Sequence, residues 1–408
     1  MGKRLVALAT TLACALAFAA CGSDNSSSTS SSSSGGSATT SKASGEPIKL
    51  MTLGPVEAPG FSLPSIPVGA QIAVDEINAA GGLNGHPLQL ITCNDENNPN
   101  TATQCARTAI KEKVAALVGG LSLFDLKAIP ALQRAGIPWI GLTTPDATTQ
   151  SNLFLLGGEG PPGFAAIGMA LAQAGCKNVA VLVSAQAAPD NAAQIQAGVQ
   201  AGGAKVVKTL TAPKNSADFA PIVAGARAAG ADCIGAGTGP GETGPLIKAI
   251  NAGKKLPLAL ASGGLPDVVL KQLGSAADGV LAMAGYLPFG SDKGDVAQLE
   301  QKIKAKYPKS PLDQFAQSGY ASVKVVQEAA KDLKDITPQS LTQALPKVTD
   351  FDTGLGPVAN FSTPLPVPGF ERVFNPKVFV YKATNGTYDL AQPDPIDTTP
   401  ALKILSQK

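Results

Sequence analysis

Between Val68 and Thr144, apolar residues recur at the spacing of amphipathic helices, and each helical stretch is followed by a short apolar run. The first stretch stops at Gly81-Gly82 and leads into the run 88–91. Helices predicted over 101–112 and 126–135 lead in the same way into runs at 114–118 and 137–142. Such alternation is typical of βαβ units around a parallel sheet covered on both faces. The pattern therefore predicts an α/β fold, with 48–53 as its first strand.

A second set of alternating elements follows and predicts a second, similar sheet. We place its strands at 179–183, 205–210, 232–236, 256–261 and 279–283, with helices over 164–174, 191–201, 218–229 and 245–252. The stretch 145–162 is predicted to be a connection, and helices over 295–307 and 314–333 are predicted to cover the surface. Residues 377–382 followed by Asn385-Gly386 predict a hairpin. The chain is thus predicted to form two doubly wound parallel-sheet lobes.

Length and charge narrow the range of functions. A chain of 408 residues is too long for one core and indicates two domains. Only 15% of residues are charged and the net charge is +2, without a basic block, which argues against nucleic acid as a partner. The single histidine, His86, argues against most acid–base and metal chemistry. We therefore expect no metal, no cofactor and no catalytic residue.

The N-terminal residues 1–21 have the pattern of an export signal. Lys3 and Arg4 precede an apolar stretch that is too short to span a membrane. Small residues directly before Cys21 resemble a bacterial lipobox, although Phe18 stands where leucine is usual. The resemblance implies cleavage before Cys21, lipid attachment to its thiol and anchoring on the extracytoplasmic face of the cell membrane; ordinary secretion is the alternative. Residues 22–46, rich in serine and glycine, predict a disordered tether.

Four cysteines remain in the exported chain, in an oxidising compartment. Cys93 ends a predicted strand and Cys105 lies early in the next helix, so we predict a disulfide between them. Cys176 and Cys233 belong to strands that are neighbours in a doubly wound sheet, so their pairing is geometrically open. The alternative for this second pair is two free buried thiols.

Candidate binding residues follow the carboxyl ends of the predicted strands, where ligands of such sheets lie. Ser122 is either a hydroxyl donor to a ligand carboxylate or carbonyl, or a helix cap. Thr143 and Thr144 have the same two interpretations. Because no histidine lies near Ser122, a hydrolase triad is not expected. Aromatic residues that line a cleft or belong to the core are Phe61, Tyr286 and Phe289.

The stretch Gly239-Pro-Gly-Glu-Thr-Gly244 matches the glycine pattern of a dinucleotide loop between a strand and a helix. Pro240 removes an amide donor, and no acidic residue ends the next strand. A glycine-rich strand-to-helix turn is the alternative, with Glu242 near the helix start or at the rim of a cleft.

Several stretches in order along the chain resemble the type I periplasmic solute-binding proteins of ABC importers, in the branched-chain amino-acid binding group. The most specific is Ala73-Val-Asp-Glu-Ile-Asn-Ala-Ala-Gly-Gly-Leu-Asn-Gly85. The others are Cys93 with Asp95 and Pro99, Lys113-Val-Ala-Ala-Leu-Val-Gly-Gly120, Ala135-Gly-Ile-Pro-Trp-Ile140 and Gly175-Cys-Lys-Asn-Val-Ala-Val-Leu182. The resemblance covers roughly 47–390. It implies two lobes joined by three crossovers that close around a small solute, with 47–156 and 284–350 in lobe 1 and 157–283 and 351–408 in lobe 2.

The resemblance also implies a function and a site. The protein is expected to capture a small solute, an amino acid or related carboxylate or amide, and to deliver it as a monomer to a membrane permease. The expected ligand-binding residues are Leu121, Ser122, Thr143 and Thr144 from lobe 1 and Ser184, Gln186 and Glu242 from lobe 2, with Phe61 at the cleft. The alternatives are a solute sensor of the same fold and an NAD-dependent enzyme.

Three positions depart from the family pattern. Gly239 replaces a frequent aromatic residue, Gly263-Gly264 stand near the place of the acid that holds a ligand ammonium, and Ser184-Ala-Gln186 replaces an Asp-Tyr-Gly element. We therefore expect a neutral, zwitterionic or monoanionic ligand rather than specifically an α-amino acid.

Overall fold

A computed structural model describes residues 43–58, 62–142, 148–158, 160–185, 187 and 190–407. The predicted signal, the lipidation site Cys21 and most of the predicted tether lie outside these residues. The same holds for four predicted site residues: Phe61, Thr143, Thr144 and Gln186.

The first sheet has five parallel strands in the order β2-β1-β3-β4-β5. Its elements are β1 Ile48–Gly54, α1 Ile66–Ala79, β2 Leu88–Asn94, α2 Pro99–Lys111, β3 Ala116–Val118, α3 Asp125–Arg134, β4 Trp139–Ile140 and β5 Leu153–Phe154. The predicted βα units are confirmed. The prediction that 145–162 is only a connection was wrong, because Leu153 and Phe154 form a buried edge strand.

The second sheet repeats this order in its parallel part, β7-β6-β8-β9-β10. Its elements are α4 Pro161–Gln173, β6 Asn178–Ser184, α5 Asn191–Ala201, β7 Lys205–Ala212, α6 Ala220–Ala228, β8 Cys233–Gly237, α7 Pro240–Asn251, β9 Leu258–Ala261, α8 Asp267–Leu273 and β10 Leu281–Ala284. In each sheet, the second strand along the chain lies at the edge, the first lies beside it, and the third, fourth and fifth follow in order. The two halves of the chain therefore have the same architecture, as predicted.

The rest of the chain packs first against the first sheet, through the helix Gln314–Ala330, and then adds the strand Lys377–Thr384 to the second sheet. Its elements are α9 Val296–Lys306, α10 Gln314–Ala330, α11 Pro338–Ala344, β11 Phe351–Asp352, β12 Val358–Ala359, β13 Lys377–Thr384, β14 Thr387–Leu390, β15 Ile396–Asp397 and α12 Thr399–Leu405. Strand β13 adds to β10 in the antiparallel direction. The predicted hairpin is confirmed: β13 and β14 are joined by Asn385 and Gly386, both at positive φ, as a two-residue type I′ turn requires.

Helix α10 packs against α1 and contradicts the prediction of a surface-covering helix. Most of its residues are buried. A Cβ added to Gly69 in α1 would lie 1.7 Å from the carbonyl oxygen of Ala316 in α10. On the same helix, Ser318 donates to the carbonyl of Gly141 at 2.7 Å. The glycine permits the two helix backbones to touch, so α10 belongs to the covering of the first sheet.

The chain passes between the two sheets three times: after β5, after β10, and between β12 and β13. The first and third of these segments lie side by side, since Leu155 forms a parallel bridge with Val373. The guanidinium of Arg372 lies 4.5 Å from the ring centre of Phe154 and 4.7 Å from that of Phe374. Burial lowers the pKa of Arg372 to about 10, so the group stays cationic at neutral pH and stabilises the crossing by cation–π contacts.

The described residues contain two disulfides, one in each half of the molecule. Cys93–Cys105 joins β2 to α2 with Cα atoms 5.8 Å apart, and Cys176–Cys233 joins the approach to β6 with β8 at 6.0 Å. Both pairings considered from the sequence are confirmed. None of the helices in the described ranges has the length and apolar character needed to cross a membrane.

Candidate functional site

The carboxyl ends of β1 and β3 approach each other without intervening side chains. A Cβ on Gly54 would lie 2.4 Å from the carbonyl oxygen of Leu121, and one on Gly120 would lie 2.3 Å from that of Leu53. Gly120 also has φ near +99°, a conformation that side chains rarely adopt. The glycines therefore bring Leu121 and Ser122 to the edge of the first sheet.

Ser122 is fully buried and has two protein partners. Its hydroxyl donates to Oδ2 of Asp95 at 2.6 Å and accepts the amide hydrogen of Phe124 at 3.1 Å. The second contact is a cap at the start of α3, one of the two interpretations of this residue. A serine oxygen has two lone pairs, so one acceptor position remains. Ligand binding by Ser122 stays a prediction.

Asp95 is a buried acid at this edge whose pairing with Ser122 the sequence did not predict. It directly follows β2, and its Oδ1 accepts the amide hydrogen of Asn97 at 3.0 Å. Burial raises the pKa of Asp95 above its ordinary value, while the hydrogen bonds from Ser122 and Asn97 act in the opposite direction. Two signals could have placed Asp95 at this edge: its position directly after a predicted strand and its place among the residues of the family resemblance.

The second sheet presents a buried pair at its own carboxyl edge. Ser184 ends β6 and Glu242 lies in the first turn of α7, with 3% and 2% of their surfaces exposed. The Ser184 hydroxyl donates to Oε1 of Glu242 at 2.8 Å, and the amide of Gly239 donates to Oε2 at 3.1 Å. Two residues predicted for lobe 2 therefore lie together, and both carboxylate oxygens have donors.

The same geometry decides between the two interpretations of the glycine-rich stretch. Helix α7 begins at Pro240, earlier than predicted, because proline is well tolerated in the first turn of a helix. The Gly239 amide, which a phosphate would use, donates to Glu242. A negative side chain at this helix start opposes a pyrophosphate there. The structure supports a strand-to-helix turn.

The two carboxyl edges meet near the start of α10. The Cζ atom of Phe315 lies 3.5 Å from the position of a Cβ on Gly263, a residue that follows β9. The amide of Leu312 donates to Oδ1 of Asp267 at 3.3 Å, which links the segment before α10 with the start of α8. Tyr286 is fully buried and belongs to the core, whereas Phe289 is partly buried.

Among the described residues, Cys176, Asp232 and Cys233 gather three potential metal-ligand atoms. The two cysteines are bonded to each other, and Asp232 accepts the amide hydrogens of Lys177 and Asn178, each at 3.0 Å. These atoms are already paired within the protein and do not form a metal site.

Asp313 caps α10 and connects it to the start of α1. Its Oδ1 accepts the amide hydrogens of Phe315 at 3.0 Å and Ala316 at 3.2 Å, and its Oδ2 accepts the hydroxyl hydrogen of Ser65 at 2.8 Å. Burial raises the pKa of Asp313 from 3.8 to about 6, although these hydrogen bonds lower it. The folded protein therefore holds a proton here over a pH range in which the unfolded chain releases it.

This shift predicts a pH-dependent stability. The contribution of Asp313 to the free energy of unfolding is complete below the unfolded-state pKa and is lost as the pH rises through about 6. Asp313→Asn keeps a capping oxygen and removes the titration. The stability of this variant relative to the wild type is expected to rise by about 2 kcal/mol between about pH 4 and about pH 7. Urea unfolding across that range measures it, and a constant difference would contradict the assignment.

Comparisons with known proteins agree with this architecture. Solved structures similar to the chain include the branched-chain amino acid transporter substrate-binding protein LivJ from Streptococcus pneumoniae with isoleucine, at 21% identity and a TM-score of 0.70, covering 86% of this chain and 99% of that one. A fatty acid ABC transporter substrate-binding protein from Thermomonospora curvata shows 18% identity, a TM-score of 0.73 and coverage of 88% and 95%. A solute-binding protein from R. palustris with benzoate shows 19% identity, a TM-score of 0.69 and coverage of 86% and 97%.

At sequence identities this low, similarity to these structures shows only that the fold is shared. No curated protein matches the chain. The sequence profile described as periplasmic binding protein matches residues 47–364, which include the parallel strands of both sheets and both buried pairs. The chain therefore belongs to the periplasmic binding protein family.

Proposed function

We propose that the protein is the extracytoplasmic solute-binding component of an ABC importer, anchored to the membrane by a lipid on Cys21. Family membership and two sheets of the same strand order support this proposal. A solute between lobe 1 (47–156 and 284–350) and lobe 2 (157–283 and 351–408) would touch both only when they close. Binding thus selects the closed form, which the permease recognises.

The Glu242 carboxylate carries the assignment of the ligand class. Glu242 is 2% exposed and its two oxygens accept from Ser184 and Gly239, so its carboxylate is engaged inside lobe 2 rather than presented to a ligand ammonium. Gly263, near the place of the family's acid, lies against Phe315 and offers no carboxylate. We infer that the solute is a small carboxylate or amide that needs no ammonium contact at these positions.

A calorimetric titration of the purified protein tests the ligand class. The panel is benzoate, hexanoate, benzamide, leucine and NAD. Heat of binding with a carboxylate or the amide, without a response to leucine, is the expected result. Tight binding of leucine would contradict the inferred ligand class, and binding of NAD alone would contradict the transport function.

Ser122→Ala tests the placement of the site with the solute identified in that panel. If the hydroxyl contacts the solute, its loss is expected to weaken binding about tenfold. Ser216→Ala is the matched control, since this half-buried serine donates to the carbonyl of Asp218 and contacts neither buried pair. Because Ser122→Ala also removes a donor from Asp95, the titration is run well below the melting temperature of the variant. Unchanged affinity would place the solute elsewhere.

A further inference from the structure

The second crossover between the sheets, the chain that follows β10, is buried and held by its backbone groups. Tyr286 and Leu287 in this crossover have 0% and 9% of their surfaces exposed. The hydroxyl of Tyr381 in β13 donates to the carbonyl of Tyr286 at 2.6 Å. The amide of Leu287 donates to the carbonyl of Leu355 at 2.9 Å. These two contacts hold both ends of one peptide group, the one between residues 286 and 287, and both partners fall within lobe 2 as proposed above.

The next peptide group is held from lobe 1. The Nε2 atom of Gln317 in α10 donates to the carbonyl of Leu287 at 2.8 Å, and only 1% of Gln317 is exposed. The nitrogen of this group belongs to Pro288 and carries no hydrogen, so the carbonyl is the atom by which the group can be held. Peptide groups are planar and rigid. The two groups can therefore turn against each other only through the φ and ψ angles of Leu287.

Pro288 restricts these angles. The ring of a proline crowds the backbone of the residue before it, which disfavours the helical region and keeps that residue in the extended region. Leu287 thus has a narrow range of rotation. The first crossover differs, because Gly157 and Gly158 give its backbone wide freedom. Among these two crossovers, the second is the one that can limit a rotation of the lobes.

The third crossover is held by lobe 1 as far as Val373. The amide of Arg372 donates to the carbonyl of Thr148 at 2.9 Å, and the Nε atom of Arg372 donates to that of Leu153 at 2.7 Å. The chain enters β13 of the second sheet only four residues after Val373. Bending of this crossover is therefore confined to the stretch 374–376, whereas in the second crossover the two lobes hold neighbouring peptide groups.

We propose that Leu287 is the pivot of lobe closure and that Pro288 limits how far the lobes open. Tyr381 and Gln317 are positioning residues: the first couples lobe 2 to the peptide group before the pivot, and the second couples lobe 1 to the group after it. Hinges of this kind absorb a domain rotation in the backbone angles of a few residues. This inference rests on the closure of the two lobes in the proposed function, and it assigns control of the motion to a buried segment outside the predicted solute-binding residues.

Distances between spin labels on the two lobes test the proposal without a solute. The exposed residues Lys127 in α3 and Lys208 in β7 are replaced by cysteine and labelled. Double electron–electron resonance then gives the distribution of distances between the labels in the purified protein. Tyr381→Phe and Gln317→Leu each release one peptide group from its lobe, so each is expected to broaden this distribution.

Pro288→Ala makes the helical region accessible to Leu287. The variant is expected to add label distances that the labelled parent protein does not reach.

Three control variants make the same kinds of change within a single lobe. Tyr388→Phe removes a hydroxyl that donates to the carbonyl of Leu265 at 2.7 Å, within lobe 2. Ser318→Ala removes a hydroxyl of α10 that donates to the carbonyl of Gly141 at 2.7 Å, within lobe 1. Pro213→Ala removes a proline from the loop after β7. All three are expected to leave the distribution of distances unchanged.

Equal broadening by Tyr381→Phe and Tyr388→Phe would overturn the proposal, because a general loosening of the fold would then explain both. A Pro288→Ala distribution identical to that of the parent would overturn it as well. One narrow distance shared by the parent and every variant would contradict lobe motion and hence the closure on which the inference rests. Failure of the solute panel leaves these results readable, since the distances are measured without solute.

Discussion

Replacing both Cys176 and Cys233 by alanine is expected to lower the free energy of unfolding by about 4 kcal/mol. The two residues are 57 positions apart, and their bond restricts the unfolded chain over that whole loop. The Cys93–Cys105 bond closes a loop of only 12 positions, so the corresponding double variant is expected to lose less, about 3 kcal/mol. Removing the Cys176–Cys233 bond costs more because the unfolded chain regains more conformational entropy when the longer loop is released.

Urea unfolding of the two double variants, with oxidised and reduced wild type alongside, measures these losses. Reduced wild type is expected to be less stable than either double variant, because it lacks both bonds. A larger loss for the Cys93–Cys105 variant would contradict an origin in loop entropy. It would point instead to contacts of the buried sulfur atoms in the folded state.

Gly69→Ala is expected to destabilise the protein by about 3 kcal/mol, the upper range for overpacking. In an exposed helix the same change stabilises by up to about 1 kcal/mol, since alanine has the higher helix propensity. At Gly69 the added carbon would meet backbone atoms of α10, the carbonyl oxygen of Ala316 at 1.7 Å and the amide nitrogen of Tyr320 at 3.1 Å. Neither can move without separating the two helices, so the sign of the effect reverses.

Gly225→Ala is the matched control. This residue lies within α6, and the nearest atom to its added carbon is a side-chain carbon of Leu210 at 3.7 Å, an ordinary contact distance. The control is expected to be slightly more stable than the wild type. If Gly69→Ala and Gly225→Ala changed the free energy of unfolding in urea by the same amount, the backbones of α1 and α10 would lie farther apart than described here.

Much of the fold follows from local patterns along the chain. Most of the buried parallel strands, such as β1 and β6, are short apolar runs, so their positions could be predicted. Strand β5 was missed because Leu153–Phe154 is too short to show any period. Helix α10 was taken for a surface helix because the small residues that bury it, such as Ala316 and Gly319, carry little hydrophobic signal.

The candidate site was predictable only in part. Strand ends placed Ser122 and Ser184 at the carboxyl edges, since that placement depends on local sequence. Their partners depend on tertiary contacts: Asp95 lies 27 positions from Ser122, and Glu242 lies 58 from Ser184.

The contact between α1 and α10 has a consequence for the order of folding. Ser65 and Asp313, which join the starts of these helices, are 248 positions apart. The parallel part of the second sheet, from α4 to β10, uses one continuous segment of chain. Closing a long loop is slower than pairing neighbouring segments. During synthesis, the half of the molecule that leaves the ribosome first therefore acquires its complete covering only after the parallel strands of the other half have emerged.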